Sequence, residues 1–213
     1  MKNDYYLQME KTITQILADE KKPSLLLHAC CGPCSSAVLE LLSNVFEISV
    51  YYYNPNIYPD EEFLRRREEL KKFASKFPPA KNITIIEAEY IPEEFYAASG
   101  VRENAELEKE KEMGQRCYNC YRLRLEKTFA YALQNGYDYV TTTLSISPYK
   151  DAKKINDIGI ELEKECESKV KFLHSDFKKK NGFLRSLELS EEYGMYRQDY
   201  CGCIFSRRNN ERV

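Results

Sequence analysis

SLLLHACCGPC at residues 24–34 joins a short apolar run to a group of three cysteines. The near-continuous apolar character of Ser24–His28 is typical of a parallel strand that is buried on both faces. Cys30, Cys31 and Cys34 follow at its carboxyl end, and a helix is predicted over Ser35–Leu42. Open parallel sheets bind their ligands beyond the carboxyl ends of the strands. The sequence therefore predicts a functional site where these cysteines lie.

The same alternation of strand and helix continues along the chain. Strands are predicted at Ser24–His28, Ile48–Tyr53, Ile83–Ala88, Tyr139–Leu144 and Val170–Leu173. Helices are predicted at Ser35–Leu42, Asp60–Phe77, Glu103–Met113, Tyr118–Gln134 and Ala152–Glu167, with an N-terminal helix in residues 1–22 and a further helix plus a return segment in residues 182–213. The pattern predicts a single α/β domain over residues 1–213, with a parallel sheet of about five strands and helices on both faces.

Seven of the eight cysteines fall into three close groups, and Cys166 stands alone. The groups are Cys30-Cys31-Gly32-Pro33-Cys34, Cys117-Tyr118-Asn119-Cys120 and Cys201-Gly202-Cys203. Such spacings let thiolates converge on a metal ion or an iron–sulfur cluster. Seven candidates exceed the four ligands of a structural zinc site, which favours a metal–thiolate active site with sulfur left over for chemistry.

Composition and apolar patterning indicate a globular protein of the cytoplasm. Hydrophobic residues make up 43% of the 213 residues and charged residues 31%, which is ordinary for a globular chain. No apolar run approaches the length of a membrane span, and the N-terminal residues lack the apolar core of a secretory signal. We therefore expect no membrane partner, and we expect the cysteines to serve in metal binding or redox catalysis rather than in structural disulfides.

Three interpretations of the cysteines compete on the residues alone. A structural zinc would use two C-x-x-C pairs, Cys31 with Cys34 and Cys117 with Cys120. A thiol–disulfide enzyme would use Cys31–Cys34 or Cys201–Cys203 as its redox pair. An iron–sulfur cluster held by four thiolates, with the remaining cysteines supplying a second metal site or a redox pair, uses most of the cysteines that the sequence contains.

Four motifs together resemble one known family, the QueH epoxyqueuosine reductases. The resemblance runs in order from about Leu25 to Ser206, and the motifs are Leu26–Cys34, Cys117–Arg124, Thr142–Lys150 and Tyr200–Cys203. It implies a fold similar to that of the adenine nucleotide alpha hydrolases and PP-loop ATPases. Where those ATPases carry S-G-G-x-D-S after the first strand, this chain has ACCGPCS at residues 29–35, so ATP hydrolysis is not expected.

The resemblance also implies a reaction, a cofactor and partners. Members of the family are oxidoreductases that convert epoxyqueuosine to queuosine at the wobble position of tRNA. The reaction needs electrons from a donor that the sequence does not identify. By resemblance, a [4Fe-4S] cluster is bound by Cys30, Cys31, Cys117 and Cys120. Cys201 and Cys203 are then the catalytic redox-active pair, or they bind a second iron ion together with Cys34.

Two alternative functions stay open beside the reductase. A PP-loop-like tRNA sulfur-transfer enzyme would share the fold, the cysteines and the RNA, but it would ordinarily need the S-G-G-x-D-S motif. A zinc-stabilised tRNA-binding module would use one zinc ion and the local basic runs.

Residues outside the cysteine groups supply candidates for substrate binding. Tyr149 and Lys150 follow the fourth predicted strand and are candidates for contacting the modified base. His28 ends the first strand and is expected either in the core or beside the ligands. The formal net charge of −2 argues against a generally basic binder of nucleic acid. Candidate phosphate contacts are therefore local, namely Arg65–Arg67, Lys178–Lys180, Arg207–Arg208, Arg122 and Arg124.

Overall fold

The strand Ser24–His28 lies at the centre of a five-stranded parallel sheet. The computed structural model describes the backbone of residues 4–210 and the side chains of residues 4–207. The strands are β1 (Ser24–His28), β2 (Glu47–Tyr52), β3 (Thr84–Glu87), β4 (Tyr139–Thr142) and β5 (Lys171–Phe172). Their order is β3-β2-β1-β4-β5, and each neighbouring pair is parallel. All five predicted strands are present, and their ends differ from the predicted ones by at most two residues.

Helices connect these strands. They are α1 (Tyr5–Ala18), α2 (Gly32–Leu42), α3 (Asp60–Lys76), α4 (Pro92–Ser99), α5 (Glu106–Lys109), α6 (Gln115–Asn135), α7 (Ala152–Glu165), α8 (Gly182–Glu192) and α9 (Ile204–Asn210). Short 3-10 turns occupy Pro78–Ala80 and Thr143–Ile146. The predicted N-terminal helix is α1, and the predicted C-terminal helix and return segment correspond to α8, a loop and α9.

Alternate residues of the central strand pack into two different cores, which explains its continuous apolar run. Leu25 and Leu27 belong to a cluster that includes residues of α2 and α3. Leu26 belongs to a cluster on the other face, together with residues of α6 and α7 such as Leu125 and Ile158. The sheet is therefore covered on both faces, and the predicted α/β domain with a parallel sheet is confirmed. Its closer assignment to the adenine nucleotide alpha hydrolase fold stays a prediction.

The order of the strands creates a crevice beside the central strand. The chain runs from β1 outward to β3 and then crosses to β4, on the other side of β1. Ligands of open α/β sheets bind at such a switch in strand order. The loop from Ala29 to Cys31 follows β1 at this place, and the turn Thr143–Ile146 follows β4.

The helix predicted over Glu103–Met113 is wrong for most of its length. Only Glu106–Lys109 is helical, Glu110 is extended, and Met113 has a φ of 69°. The buried Arg116 explains the difference, because its guanidinium donates to the carbonyls of Leu107, Glu108 and Glu110. Carbonyls that a continuous helix would use internally are engaged by this side chain instead.

Candidate metal centre

Three thiols from the β1–α2 loop and the first turn of α2 converge at the crevice. The Sγ atoms of Cys30, Cys31 and Cys34 all lie within 4.8 Å of one another. The distance from Cys30 Sγ to Cys31 Sγ is 3.8 Å. Two sulfurs bound to one tetrahedral metal ion lie about 3.8 Å apart, given metal–sulfur bonds of about 2.3 Å. The spacing of this triad suits a single ion, and no other three potential ligands come this close among the residues that the structure describes.

The start of α2 favours negative charge on the triad. Cys31 is the N-cap residue, and its sulfur accepts a hydrogen bond from the Cys34 backbone N–H at 3.3 Å. Unsatisfied N–H groups and the helix dipole stabilise thiolates at this position. The predicted placement of these cysteines, after the first strand and opening the first helix, is confirmed.

The three thiols have different affinities for a proton. Hydrogen bonds from Cys31 and Cys34, with help from Lys150 and Arg124, lower the pKa of Cys30 well below its ordinary value. Burial raises the pKa of Cys31 to about 12, and hydrogen bonding to Cys30 and Cys31 raises the pKa of Cys34. Of the three thiols, Cys30 is therefore the one that loses its proton most readily. A bound cation would favour the thiolate form of all three, so this donor set fits a metal.

The second cysteine group lies in the first two turns of α6. Cys120 is buried and Cys117 is half-buried. Burial raises the pKa of Cys117 to about 11 and that of Cys120 to about 12, and the nearby Cys201 adds to both shifts. Cys117 packs against the same apolar cluster that contains Cys30 and Cys31. The first two groups therefore share one environment.

The third group, in the loop before α9, adjoins the second. Cys203 is buried and lies in a small apolar cluster with Cys120, Phe95 and Phe205. Cys201 is half-buried. All eight cysteines are free thiols in the structure, so none of the seven grouped thiols is withheld from a metal by a disulfide.

Arg124, on α6, is a buried cation that lies near a cysteine of every group. Burial alone would lower the pKa of its guanidinium, but electrostatic interaction with Cys120, Cys30 and Cys201 raises it. Its Nη2 donates to Asn54 Oδ1 at 2.6 Å. The expectation that Arg124 meets phosphate at the surface is wrong, because this side chain is 1% exposed.

His28 is neutral and forms part of the same buried network. Its Nε2 lies 3.1 Å from the Tyr53 carbonyl oxygen and 3.3 Å from Arg124 Nε, and its Nδ1 lies 2.8 Å from Thr142 Oγ1. Burial, with a smaller contribution from Arg124, lowers the pKa of His28 to about 3. The structure places His28 in the core, hydrogen-bonded within the protein and beside Arg124.

A cavity of about 270 Å³ opens onto the triad. Its lining includes Cys30, Cys34, Tyr149, Lys150, Gln198 and Cys201. The first and third cysteine groups therefore face one space, together with both candidate substrate contacts.

Two of these side chains could bind a polar ligand beside the thiols. Lys150 is buried, and burial alone would lower its pKa, but electrostatic interaction with Cys201, Cys30 and Cys34 raises it. The Nε2 atom of Gln198 donates to Cys31 Sγ at 3.0 Å. Its Oε1 is buried and accepts no hydrogen bond from any described residue. Lys150 thus offers a positive charge and Gln198 an acceptor.

Sequence reasoning missed Arg124, Gln198 and Asn54 as parts of this site. For Arg124 a signal existed, since it lies three residues after Tyr121 and four before Thr128, and both are buried on α6. Gln198 and Asn54 lie in loops, where no periodicity marks the buried positions.

Most side chains of the basic runs are buried or form ion pairs with carboxylates of the same chain. Arg66 is buried, and Arg67 pairs with Glu68 and Glu87. Lys178 and Lys179 pair with Asp176 and Asp4, and Arg122 pairs with Glu126, Glu161 and Glu165. Arg208 has its side chain outside the described residues.

Arg65 keeps its charge in solvent, stacked on the ring of Tyr196 at 3.3 Å. It lines a second cavity with Tyr200 and Asp199, and these two residues also line the cysteine cavity. In the described part of the chain, no helix is both long and apolar enough to cross a bilayer.

The fold and the site define a class, namely parallel α/β proteins with a cysteine triad that could hold a metal ion at the switch in strand order. A family profile described as "Epoxyqueuosine reductase QueH" matches residues 25–209, and this chain belongs to that family. A protein of that name from Streptococcus pyogenes serotype M1 is 43% identical over 88% of this chain and 71% of its own length. Its namesakes from Staphylococcus epidermidis and Thermotoga maritima are 39% and 35% identical, over 97% and 86% of this chain and 87% and 90% of their own lengths.

The family resemblance predicted from four motifs is thereby confirmed, and so is the class of activity. The relatives are named as reductases, which makes the family one of oxidoreductases. The comparisons favour this function over the sulfur-transfer and zinc-module alternatives.

Proposed function

We propose that this chain reduces epoxyqueuosine in tRNA to queuosine at a thiolate-bound [4Fe-4S] cluster beyond β1 and β4. One observation carries the proposal: Cys30 and Cys34 of the first group line one cavity with Cys201 of the third, and Cys203 of the third packs with Cys120 of the second, so thiols from three distant parts of the chain meet. Cysteine thiolates are soft, anionic donors of the kind that hold iron and sulfide. Family membership supplies the reaction.

The proposed cluster ligands are Cys30, Cys31, Cys117 and Cys120. Support comes from the burial of Cys30, Cys31 and Cys120 and from the apolar cluster that Cys30 and Cys31 share with the half-buried Cys117. Arg124 and Lys150 would offset part of the negative charge that four thiolates bring into a buried site.

Cys201 and Cys203 are proposed to act in turnover rather than in holding the cluster. Cys201 lines the cavity, whereas Cys203 packs behind it against Cys120. In one form of the proposal they cycle between dithiol and disulfide. In the other form they bind a second iron with Cys34, whose sulfur lies within 4.8 Å of both Cys30 and Cys31.

The reaction sets a simple chemical requirement. Removing an epoxide oxygen breaks two C–O bonds, forms one C=C bond and releases water, and it consumes two electrons and two protons. An iron–sulfur cluster supplies single electrons and a Lewis-acidic iron when it is bound. The residues of the chain bind the modified base and exclude water. Lys150 lines the cavity, where its ammonium can stabilise the negative charge that develops on the departing oxygen.

A tRNA substrate gives roles to residues at the cavity. The ring of Tyr149 is 69% exposed and lines the same cavity as Lys150, so it offers a face on which a base that has left the anticodon stack can lie. Arg65 is the proposed phosphate contact. We place the reaction in the cytoplasm, and we propose a separate reductant protein or small molecule as the electron donor.

Anaerobic reconstitution tests the proposal. Protein rebuilt with iron and sulfide should convert epoxyqueuosine in an anticodon stem-loop to queuosine when a low-potential reductant is supplied, as measured by mass spectrometry of the digested RNA. Iron, zinc and acid-labile sulfide should be assayed on the same sample. Colourless protein with one zinc ion, no sulfide and no conversion would overturn the proposal in favour of a zinc-stabilised module.

A further inference from the structure

A buried arginine on α3 holds the loop that carries Cys201. The Nη1 atom of Arg66 donates to the Cys201 carbonyl at 3.1 Å, and Nη2 donates to the Tyr200 carbonyl at 3.3 Å. The guanidinium also lies 5.0 Å from the centre of the Tyr200 ring. The side chain is 1% exposed, and it is absent from the lining of the cavity that Cys201 faces. Arg66 therefore binds the backbone of this loop without lining the cavity.

The guanidinium is itself fixed from the other side. Its Nε donates to Glu62 Oε1 at 2.6 Å, and Glu62 is also buried. The hydroxyl of Tyr196 donates to the same carboxylate at 3.2 Å. A planar guanidinium presents donors in a fixed fork, so one side chain can meet a carboxylate and two carbonyls together. A lysine ammonium could not reproduce this arrangement.

Further contacts tie the same loop to the segment before α3. The Tyr58 backbone N–H donates to the Gly202 carbonyl at 2.8 Å, and the Tyr200 hydroxyl donates to the Tyr58 carbonyl at 2.5 Å. Gly202 has a φ of 128°, which L side chains rarely adopt. A Cβ atom placed there would lie 2.9 Å from Arg66 Nη1. The C-x-C backbone therefore fits against Arg66 only with glycine at its centre.

We propose that Arg66 is a positioning residue, which fixes Cys201 against the cavity and thereby determines the rate at which this thiol acts in turnover. The inference rests on the proposed function for its catalytic part only. The positioning part concerns the free protein and can be measured without a cluster or a substrate.

Alkylation of Cys201 tests the positioning directly. Metal-free, reduced protein is treated with iodoacetamide over a range of pH, and each cysteine is quantified by peptide mass spectrometry. The plateau rate at high pH is compared between variants, because there every exposed thiol is ionised and only access to the sulfur differs. Cys166, which lies outside the three groups, serves as an internal reference.

Arg66→Gln should raise the plateau rate at Cys201 roughly tenfold, since the loop loses two hydrogen bonds from a charged donor. Arg66→Lys should fall between Arg66→Gln and the parent protein. Gly202→Ala should reproduce the increase by displacing the guanidinium. Arg67→Gln, a change at the next residue on the exposed side of α3, should leave the rate within about twofold of the parent.

Turnover supplies the second measurement. In reconstituted protein, Arg66→Gln should lower kcat for the stem-loop while leaving its KM within about twofold, because Arg66 does not line the cavity. A protein that folds with unchanged Cys201 alkylation in both Arg66→Gln and Gly202→Ala would overturn the inference. If the variants alter Cys201 alkylation but the reconstituted parent protein has no reductase activity, the positioning role stands and the proposed function is rejected.

Discussion

At the scale of single residues, three consecutive arginines of α3 have three different environments. Arg65 stacks on Tyr196 in solvent, Arg66 is buried against the C-x-C loop, and Arg67 pairs with surface carboxylates. Successive residues of a helix point about 100° apart, so a run of like charges cannot all face one partner. The sequence predicted a basic patch here. The partners that separate the three side chains come from distant parts of the chain and could not be predicted from it.

His28 predicts a measurable dependence of stability on pH. Its pKa is about 3 in the folded protein against about 6.5 in the unfolded chain, so the unfolded state binds more protons between these values. Stability contributed by neutral His28 is complete above pH 6.5 and is lost as the pH falls toward 3. Between pH 7 and pH 5 this residue should cost about 2 kcal/mol of the unfolding free energy.

Urea unfolding of the metal-free protein checks this value. His28→Gln should lose about 2 kcal/mol less between pH 7 and pH 5 than the parent protein, whatever its stability at pH 7. The NMR signals of the His28 ring should also fail to titrate over that range. A ring that titrates near pH 6 would contradict the buried, neutral assignment.

A second residue-level prediction separates cluster binding from turnover. Cys201→Ser should keep most of the iron and sulfide and should lose reduction of epoxyqueuosine in the stem-loop, because this sulfur faces the cavity outside the four proposed ligands. Cys203→Ser should behave in the same way. Both variants are assayed for sulfide content and conversion after identical reconstitution. Loss of sulfide in proportion to activity would make these residues cluster ligands instead.

At the scale of elements, the sequence predicted every strand but not every helix. Strands such as Ser24–His28 are buried on both faces, so their own residues carry the pattern. The helix predicted over Glu103–Met113 was wrong because carbonyls in this stretch accept hydrogen bonds from Arg116. Glu110, near the end of this stretch, instead caps the start of α6. Its carboxylate accepts hydrogen bonds from the backbone N–H groups of Gln115 and Arg116. Local propensity contains no information about such side-chain competition.

The start of α6 carries the prediction on cluster assembly. Cys117→Ala and Cys120→Ala should each abolish the broad visible absorption of the reconstituted protein, because both sulfurs are proposed ligands in the first two turns of the helix. Cys166→Ala, which removes a thiol of the same kind on the C-cap of α7, is the matched control and should keep the spectrum. Full iron and sulfide in both α6 variants would mean that other cysteines hold the cluster.

At the scale of the whole molecule, the site combines residues that are far apart in the sequence. The position of the first cysteine group followed from the rule that ligands bind beyond the carboxyl ends of parallel strands. The meeting of Cys120 with Cys203, and of Cys30 with Cys201 in one cavity, depends on how α6 and the C-terminal loop pack on that edge. Spacing along the chain does not encode this packing, so the residues alone left zinc, disulfide and cluster chemistry open.

Binding of RNA should depend on a small part of the basic surface. Arg65 carries a charge in solvent beside a cavity that shares Tyr200 with the cysteine cavity, whereas Lys178 and Lys179 are already paired with Asp176 and Asp4. Each phosphate contact releases counterions, so losing one should lower the slope of log affinity against log salt by roughly 0.7 for single-stranded RNA. Arg65→Gln should therefore weaken binding of an anticodon stem-loop several-fold at low salt. Lys178→Gln combined with Lys179→Gln should change the affinity by less than about twofold.

Fluorescence titrations at four salt concentrations measure the affinity and its salt dependence, with the cluster spectrum recorded on each sample. If the lysine pair dominates the slope and Arg65 does not, the RNA approaches from the α8 side of the molecule, and the second cavity has no part in binding it.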